Sequence, residues 1–407
     1  MTRRRPPPIG WAFVALAVVA FAVRLVVWAR ASGPTSAVDS VTYFTFARAI
    51  AHGDFREFGR LPFYALYPLT LAPMYGLSLP EAVYIKWLHV VASTATVLLL
   101  FRIGEQVMSK RGAVLLGAAA SIYPFFLFWL PYVLTETLFL LCLAAYALAY
   151  LRLVDAPRAS TLIGYLIVCG LFLLSRPSAV VCVAASWLAL GSFLAVSRWG
   201  AMKGMAVVAT GAVLVVAAAT FAITLSPALQ SRLLSMPTIG QTLWASTRTS
   251  VGNFEELRRL EVLDQEMHRR FVGPDRERNE YAFKVREAAQ FIVDHPVVYA
   301  RMVVSKAIGY WFPWIFSTTW SAAHRVMDAI ISIALAAGVI LAARRRAMAP
   351  RPMVALAAMA GSFVLLSSFG QIDPDARYRL PAELLALILA VAGFTAGDSS
   401  GRAAARG

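Results

Sequence analysis

The stretch PYVLTETLFLLCLAAYALAYLR, residues 131–152, decides the fold class. Between Glu136 and Arg152 it carries no charge, and as a helix rising about 1.5 Å per residue a run of this kind reaches across a hydrocarbon core of roughly 30 Å. Hydrocarbon offers no partner to an open N–H or C=O, so the run crosses as a helix. Outward from it, similar runs recur at 9–29, 82–101, 112–130, 133–151, 161–175, 177–196, 204–225, 326–343, 352–369 and 380–396, separated by short polar or basic stretches. The whole chain agrees with this local reading: of 407 residues, 59% are hydrophobic and 15% charged, and the mean hydropathy is +0.66. An ordinary soluble enzyme, a disordered chain and a collagen-like fibre are excluded. The expected architecture is an all-α polytopic membrane protein, a single integral membrane domain over 1–407 with about 10 to 13 transmembrane helices.

The formal net charge of +16 would point a soluble protein toward nucleic acid. Its placement says otherwise. Arg3, Arg4 and Arg5 precede the first run; Arg102, Lys110 and Arg111, then Arg152 and Arg158, Arg198 and Lys203, Arg344, Arg345, Arg346 and Arg351, and finally Arg402 and Arg406 occupy every second short connection. Basic residues in short loops stay on the cytoplasmic side, so the N-terminus is expected in the cytoplasm of a cell with this protein in its plasma or inner membrane. No nucleic-acid partner is expected, and membrane lipids are. The segments 61–79 and 297–316 are apolar but broken by Pro, Gly or charge. If only one of them crossed, the alternation would fail, so both read as re-entrant, interfacial or docked against the bundle. The first run resembles a signal peptide in its flanks, yet its interior Arg24 and its length favour an uncleaved helix. Cys142, Cys169 and Cys182 lie inside apolar runs as small core residues.

Two connections on the extracytoplasmic side are long: 30–80, and 226–296, the second with helical stretches NFEELRRLEVLDQEMHRRF and NEYAFKVREAAQFIVDH. Ionisable groups at or within a bilayer cost roughly 2.5 to 3.5 kcal/mol at the centre and are functional candidates by default. On this topology Asp39, Arg60, Lys86, His89, Glu136, Arg176, Asp373, Asp375, Arg377 and Arg379 fall on or near the outer face. An acidic and a basic set facing one cleft suits a transferase acting on an anionic lipid. Each residue also has a plain structural reading. Asp39 in AVDSVTYFTFARAI can cap the helix that follows it. Arg60 in GRLPFYALYP can snorkel from an aromatic belt. Glu136 can simply favour the start of its helix, and Arg377, Tyr378 and Arg379 can anchor the interface. Arg176, at a tight outer turn in LSRP, runs against the inside bias and points more to an anionic ligand or a buried partner. No nucleotide-binding loop, serine-hydrolase elbow or Cys/His cluster is present, and His52, His89, His268, His295 and His324 are dispersed. No cofactor is evident, and a divalent metal has no ligand set in the sequence.

Taken in order, DSVTYFTFARAI with Asp39, Tyr43 and Ala47, the turn HGDF with Gly53 and Asp54, Pro62, Tyr67 and Pro68, Glu136 in PYVLTETLF, Arg176 and Pro177 in LSRP, His295 and Pro296, and RYRLP resemble the GT-C superfamily of polytopic glycosyltransferases. The branch is that of protein O-mannosyltransferases and lipid A aminoarabinose transferases. The resemblance implies a GT-C-type bundle, a hexosyl or pentosyl donor carried on a polyprenyl phosphate, an extracytoplasmic site and an inverting transfer to an acceptor hydroxyl on protein, lipid or glycan. It implies that Asp39 acts as base, with Glu136 a second acidic position, and Arg60, Arg377 and Arg379 are candidates for the phosphate, alongside Tyr43, Tyr67, Lys86, Arg176 and Tyr378 as substrate-binding residues. Several relatives carry two adjacent acidic residues where this chain has Asp39 followed by Ser40. The competing classes are a transporter or flippase of a lipid-linked sugar, which should place charge near the midplane and often shows an internal repeat, and a non-catalytic scaffold in which Asp39 is dispensable.

Overall fold

The computed structural model describes residues 10–31, 33–36, 38–55, 65–196, 243–249, 254–273, 276–312, 321–370 and 376–396. Among them the regular secondary structure is entirely helical, with no strand and one isolated parallel bridge, Thr35 with Tyr132. The chain is an all-α polytopic membrane protein. Six helices are long and apolar enough to cross a membrane: Trp11–Arg30, Glu81–Val107, Glu136–Asp155, Ala322–Arg345, Pro350–Phe369 and Tyr378–Thr395. They correspond to six of the runs expected from sequence, and two shorter apolar helices, Ala159–Leu173 and Ser178–Ser192, correspond to two more. The run at 204–225 lies outside the described residues. The helices group into two compact units, one of Met1–Ala179, Ala337–Ala357 and Glu383–Gly407, the other of Val180–Ala336 and Ala358–Ala382.

In the first unit α1 (Trp11–Arg30) buries Leu16, Ala20, Arg24 and Trp28, one residue per turn, and turns Val14, Val18 and Val26 outward. That single narrow stripe is what a peripheral helix in lipid presents to its bundle. The amphipathic α2 (Val38–Ala51) and the Pro73-containing α3 (Leu66–Gly76) pack on each other. The described part of the 61–79 segment holds a helix of about three turns over 66–76, too short by itself to cross a bilayer. α4 (Glu81–Val107) turns back through Ser109, whose side chain accepts the Gly112 N–H at 3.2 Å, into α5 (Lys110–Ile122). A Cβ on Gly104 would stand 2.8 Å from the Ala113 Cα, so glycine sets how closely these two helices approach.

The run at 112–130 is not one helix. It breaks after Ile122 and restarts as α6 (Pro124–Phe128). Pro124 has no N–H to give to the preceding turn, and the carbonyls left over are taken by Arg24 of α1. Its guanidinium donates to Ser121 O at 3.1 Å, Ala120 O at 3.5 Å and Ala20 O at 3.0 Å, and its Nε to Ser93 Oγ at 2.7 Å. A buried arginine thus serves as the C-cap of an interrupted helix, where the helix dipole also favours a cation. α7 (Glu136–Asp155) buries residues on every side, Glu136 through Leu140 consecutively, as a helix at the centre of a bundle does. Against it lies α8 (Ala159–Leu173), joined by a Tyr146, Tyr150, Tyr165, Phe139 and Phe172 ring cluster with centroids 4.9 to 6.4 Å apart. α9 (Ser178–Val196) follows, its first two residues closing this stretch of the first unit and the rest belonging to the second.

In the second unit the two stretches expected to be helical within 226–296 are α10 (Phe254–Arg270) and α11 (Arg276–Asp294). They enclose Trp244 together with Leu260, Met267 and Ala288. Two cations flank the indole, Arg248 at 4.4 Å and Lys284 at 5.2 Å from its centroid, each paired with acids: Arg248 with Glu287, and Lys284 with Asp264 at 2.5 Å and Glu280 at 2.6 Å. α12 (Pro296–Trp311) covers most of the 297–316 segment. Its Lys306 donates to Ser246 O at 2.5 Å. The chain closes with α13 (Ala322–Arg345), α14 (Pro350–Gly370) and α15 (Ala376–Thr395).

Candidate active site

The helices of the first unit alternate in direction, so the C-terminal end of α1, the N-terminal ends of α4 and α7 and the α8–α9 turn fall at one end of the bundle. The basic residues Arg102, Lys110, Arg111, Arg152 and Arg158 fall at the other. At the first end, four segments distant in sequence are tied together by hydrogen bonds. The Thr35 N–H donates to Pro131 O at 2.8 Å, the Val133 N–H returns to Thr35 O at 3.0 Å, and Ser40 Oγ donates to Val133 O at 2.8 Å. The Leu66 N–H donates to Leu174 O at 3.1 Å, which sets the start of α3 against the turn carrying Ser175 and Arg176.

Asp39 stands in the first turn of α2 and is exposed, while Tyr43 and Ala47, one and two turns on, are buried. The three share one helical row, open at the first turn and packed from Tyr43 onward. Glu136 begins α7 and is 2% exposed. One of its oxygens stands 3.2 Å from the Arg176 guanidinium, which also lies over the Phe139 ring at 5.4 Å. Neither Glu136 oxygen makes a hydrogen bond of good geometry among the described residues. A buried carboxylate met by one charge contact still has lone pairs to offer to a donor.

Tyr67, at the start of α3, meets Tyr43 edge-on with centroids 5.2 Å apart, and its hydroxyl lies 2.9 Å from His89 Nε2. His89 Nδ1 is 2.9 Å from Leu130 O. A carbonyl can only accept, so Nδ1 carries the ring proton, and on an uncharged imidazole Nε2 accepts from Tyr67. The tyrosine has every reason to keep its proton: burial, then the negative Glu136 carboxylate, then Tyr43 hold it well above the ordinary tyrosine range. Lys86 is half-buried with its ammonium 5.6 Å from the Trp87 centroid.

Arg60, Asp373 and Asp375 lie outside the described residues. Arg377 and Tyr378 open α15 in the second unit, where the Tyr310 hydroxyl donates to Tyr378 O at 3.1 Å. Arg379 is buried and forms an ion pair with Asp328, supplemented by Ser332 Oγ and Trp311 O, each at 3.3 Å. A guanidinium so enclosed offers a phosphate little until that pair opens. Sequence reasoning gave His89 no task beyond its side of the membrane and did not single out Ser40 or Asp328. Among the described residues no three His, Cys, Asp or Glu side chains gather closely enough to hold a metal ion.

Residues 66–233 match the family model described as dolichyl-phosphate-mannose-protein mannosyltransferase. The matched stretch begins at the first residue of α3 and takes in Tyr67, Lys86, His89, Glu136 and Arg176; Asp39 precedes it and Arg377 to Arg379 follow it. No curated protein matches the chain.

Proposed function

We propose that this chain, a polytopic membrane glycosyltransferase of the GT-C type that draws on a polyprenyl-phosphate sugar, moves one monosaccharide to an acceptor hydroxyl with inversion, on the extracytoplasmic face of the plasma or inner membrane. The observation that carries the reading is the convergence of the Asp39 helix, the Glu136 carboxylate and the Arg176 guanidinium at one end of the first unit, from segments some forty and one hundred residues apart.

Asp39 takes the acceptor hydroxyl proton as that oxygen attacks the anomeric carbon. The bond from that carbon to the phosphate oxygen breaks, and the polyprenyl phosphate leaves with the electron pair. An exposed carboxylate suits a base that must meet an acceptor from the aqueous side. Arg176, with Lys86 and Arg60 as further candidates, stabilises the charge that builds on the leaving phosphate. Glu136 orients Arg176 and accepts from a sugar hydroxyl through the lone pairs that the bundle leaves unused. Tyr43 and Tyr67 form the wall beneath the base. A contribution of Arg377 and Tyr378 to donor use is proposed on residue chemistry alone; a raised donor KM in Arg377→Ala tests it. Asp39→Asn in purified protein is expected to abolish turnover while donor binding persists, and normal turnover would refute the assignment.

A further inference from the structure

Tyr67, in the wall beneath the base, and His89, which has no part in the transfer as described, link the segments that carry it. Tyr67 belongs to α3, touches Tyr43 of the Asp39 helix, and donates to His89 of α4; His89 donates to the Leu130 carbonyl. Leu130 opens the irregular segment 130–136, whose next members receive the Asp39 side: Pro131 O and Val133 N bond Thr35, and Val133 O bonds Ser40. Glu136 ends the segment. It is therefore held from one flank by the strand of chain leading into the base helix and from the other by the imidazole. The segment's own turns, with Leu130 N–H to Leu127 O at 3.2 Å, Tyr132 N–H to Trp129 O at 3.2 Å and Leu134 N–H to Tyr132 O at 2.9 Å, fix its local shape, while the bonds to Thr35, Ser40 and His89 tie it to the other helices.

We infer that Tyr67 and His89 are positioning residues, whose hydrogen bonds set the 130–136 segment and so fix where Glu136 and Arg176 stand relative to the Asp39 helix. The inference rests on the catalytic reading above. Its physical basis is that a displacement of about 1 Å in a catalytic constellation costs on the order of a hundredfold in rate. The edge-on contact of Trp28 with His89, 6.1 Å between centroids, leaves the ring little freedom to seek another partner.

The test uses the full chain in lipid with a polyprenyl-phosphate sugar and a measured acceptor. Tyr67→Phe is expected to lower kcat about tenfold with donor KM within about twofold, the pattern of a displaced but intact site. His89→Leu should lower kcat by about thirtyfold or more. His89→Asn keeps an N–H at the place of Nδ1 but loses the Nε2 acceptor, and should fall about tenfold in kcat, as Tyr67→Phe does, rather than to the level of His89→Leu. Unchanged kcat in both Tyr67→Phe and His89→Leu, equal damage in His89→Asn and His89→Leu, or a loss wholly in KM would overturn the inference. If His89→Leu does not accumulate, Tyr67→Phe and His89→Asn decide: a similar fall in kcat of about tenfold in both with donor KM little changed supports the inference, and any other pairing overturns it. Asp39→Asn, measured alongside, separates the two claims. A fully active Asp39→Asn removes the catalytic reading itself, whereas a dead Asp39→Asn with normal His89→Leu removes only the positioning role.

Discussion

Single residues divide here by whether their partner can be guessed from their own neighbourhood. Asp39, Tyr43 and Ala47 could be put on one helical row from their spacing of four, although that spacing did not show the row to be open at Asp39 and buried from Tyr43 onward. His89 could not: a neutral histidine on an apolar helix reads as core, and its Tyr67 and Leu130 partners lie 22 and 41 residues away. Arg379 and Asp328 illustrate the same limit, with 51 residues between them. For Arg176 the inside bias gave a usable signal, a cation on the wrong side for topology, and the structure supplies Glu136 as one partner. Arg176→Lys retains the charge but not the planar fork, and is expected to lower kcat about tenfold while donor KM changes less; a rise in KM with kcat unchanged would make the residue a binder of the donor rather than a stabiliser of the leaving phosphate. Arg24→Met removes the donors that satisfy Ala20, Ala120 and Ser121 carbonyls, and thermal unfolding in detergent should report a loss of about 2 to 4 kcal/mol.

At the scale of elements, hydropathy found the membrane helices because only a helix keeps its backbone satisfied in hydrocarbon. It read through the break at Tyr123, although Pro124 was in view, because a proline near the end of an apolar run does not say whether the chain bends or stops. The deciding fact was a capping arginine on another helix. Close helix contacts were equally hidden. At the crossing of α13 and α15 within the first unit, a Cβ on Gly393 would stand 2.1 Å from Gly338 O and 2.6 Å from Ala342 N, both backbone atoms that no rotamer can move. Gly393→Ala must push the helices apart and should destabilise by about 1 to 3 kcal/mol. Gly164, inside α8 with nothing near its missing Cβ, is the control. Gly164→Ala should leave stability unchanged or raise it by about 0.5 to 1 kcal/mol through helix propensity. Comparable melting temperatures for the two variants would mean the crossing is looser than this geometry.

For the whole molecule, the transporter alternative turns on where charge resides. Buried ionisable groups do occur, but Arg24 is fixed by helix carbonyls and Arg379 by Asp328, closed arrangements suited to holding a bundle together rather than to passing a load across it. Among the described residues, the proposed site groups Asp39, Glu136 and Arg176 lie at the end of the first unit opposite Arg102, Lys110, Arg111, Arg152 and Arg158. In the proposed orientation, in which positive-inside bias holds those arginines and lysines in the cytoplasm, the Asp39 end faces outward, the side that the proposed lipid-carried donor requires. Orientation and donor class therefore stand or fall together, and labelling can decide them. The native thiols Cys142, Cys169 and Cys182 are all buried, so background reaction with a membrane-impermeant maleimide should be low. Val41, on α2 and 69% exposed, lies two residues from Asp39. In intact cells Val41→Cys is expected to label at once, and Arg158→Cys only after the membrane is opened. The reverse pattern would turn the site toward the cytoplasm, remove the argument for a lipid-carried donor, and leave the family match to be explained by a site elsewhere in the chain.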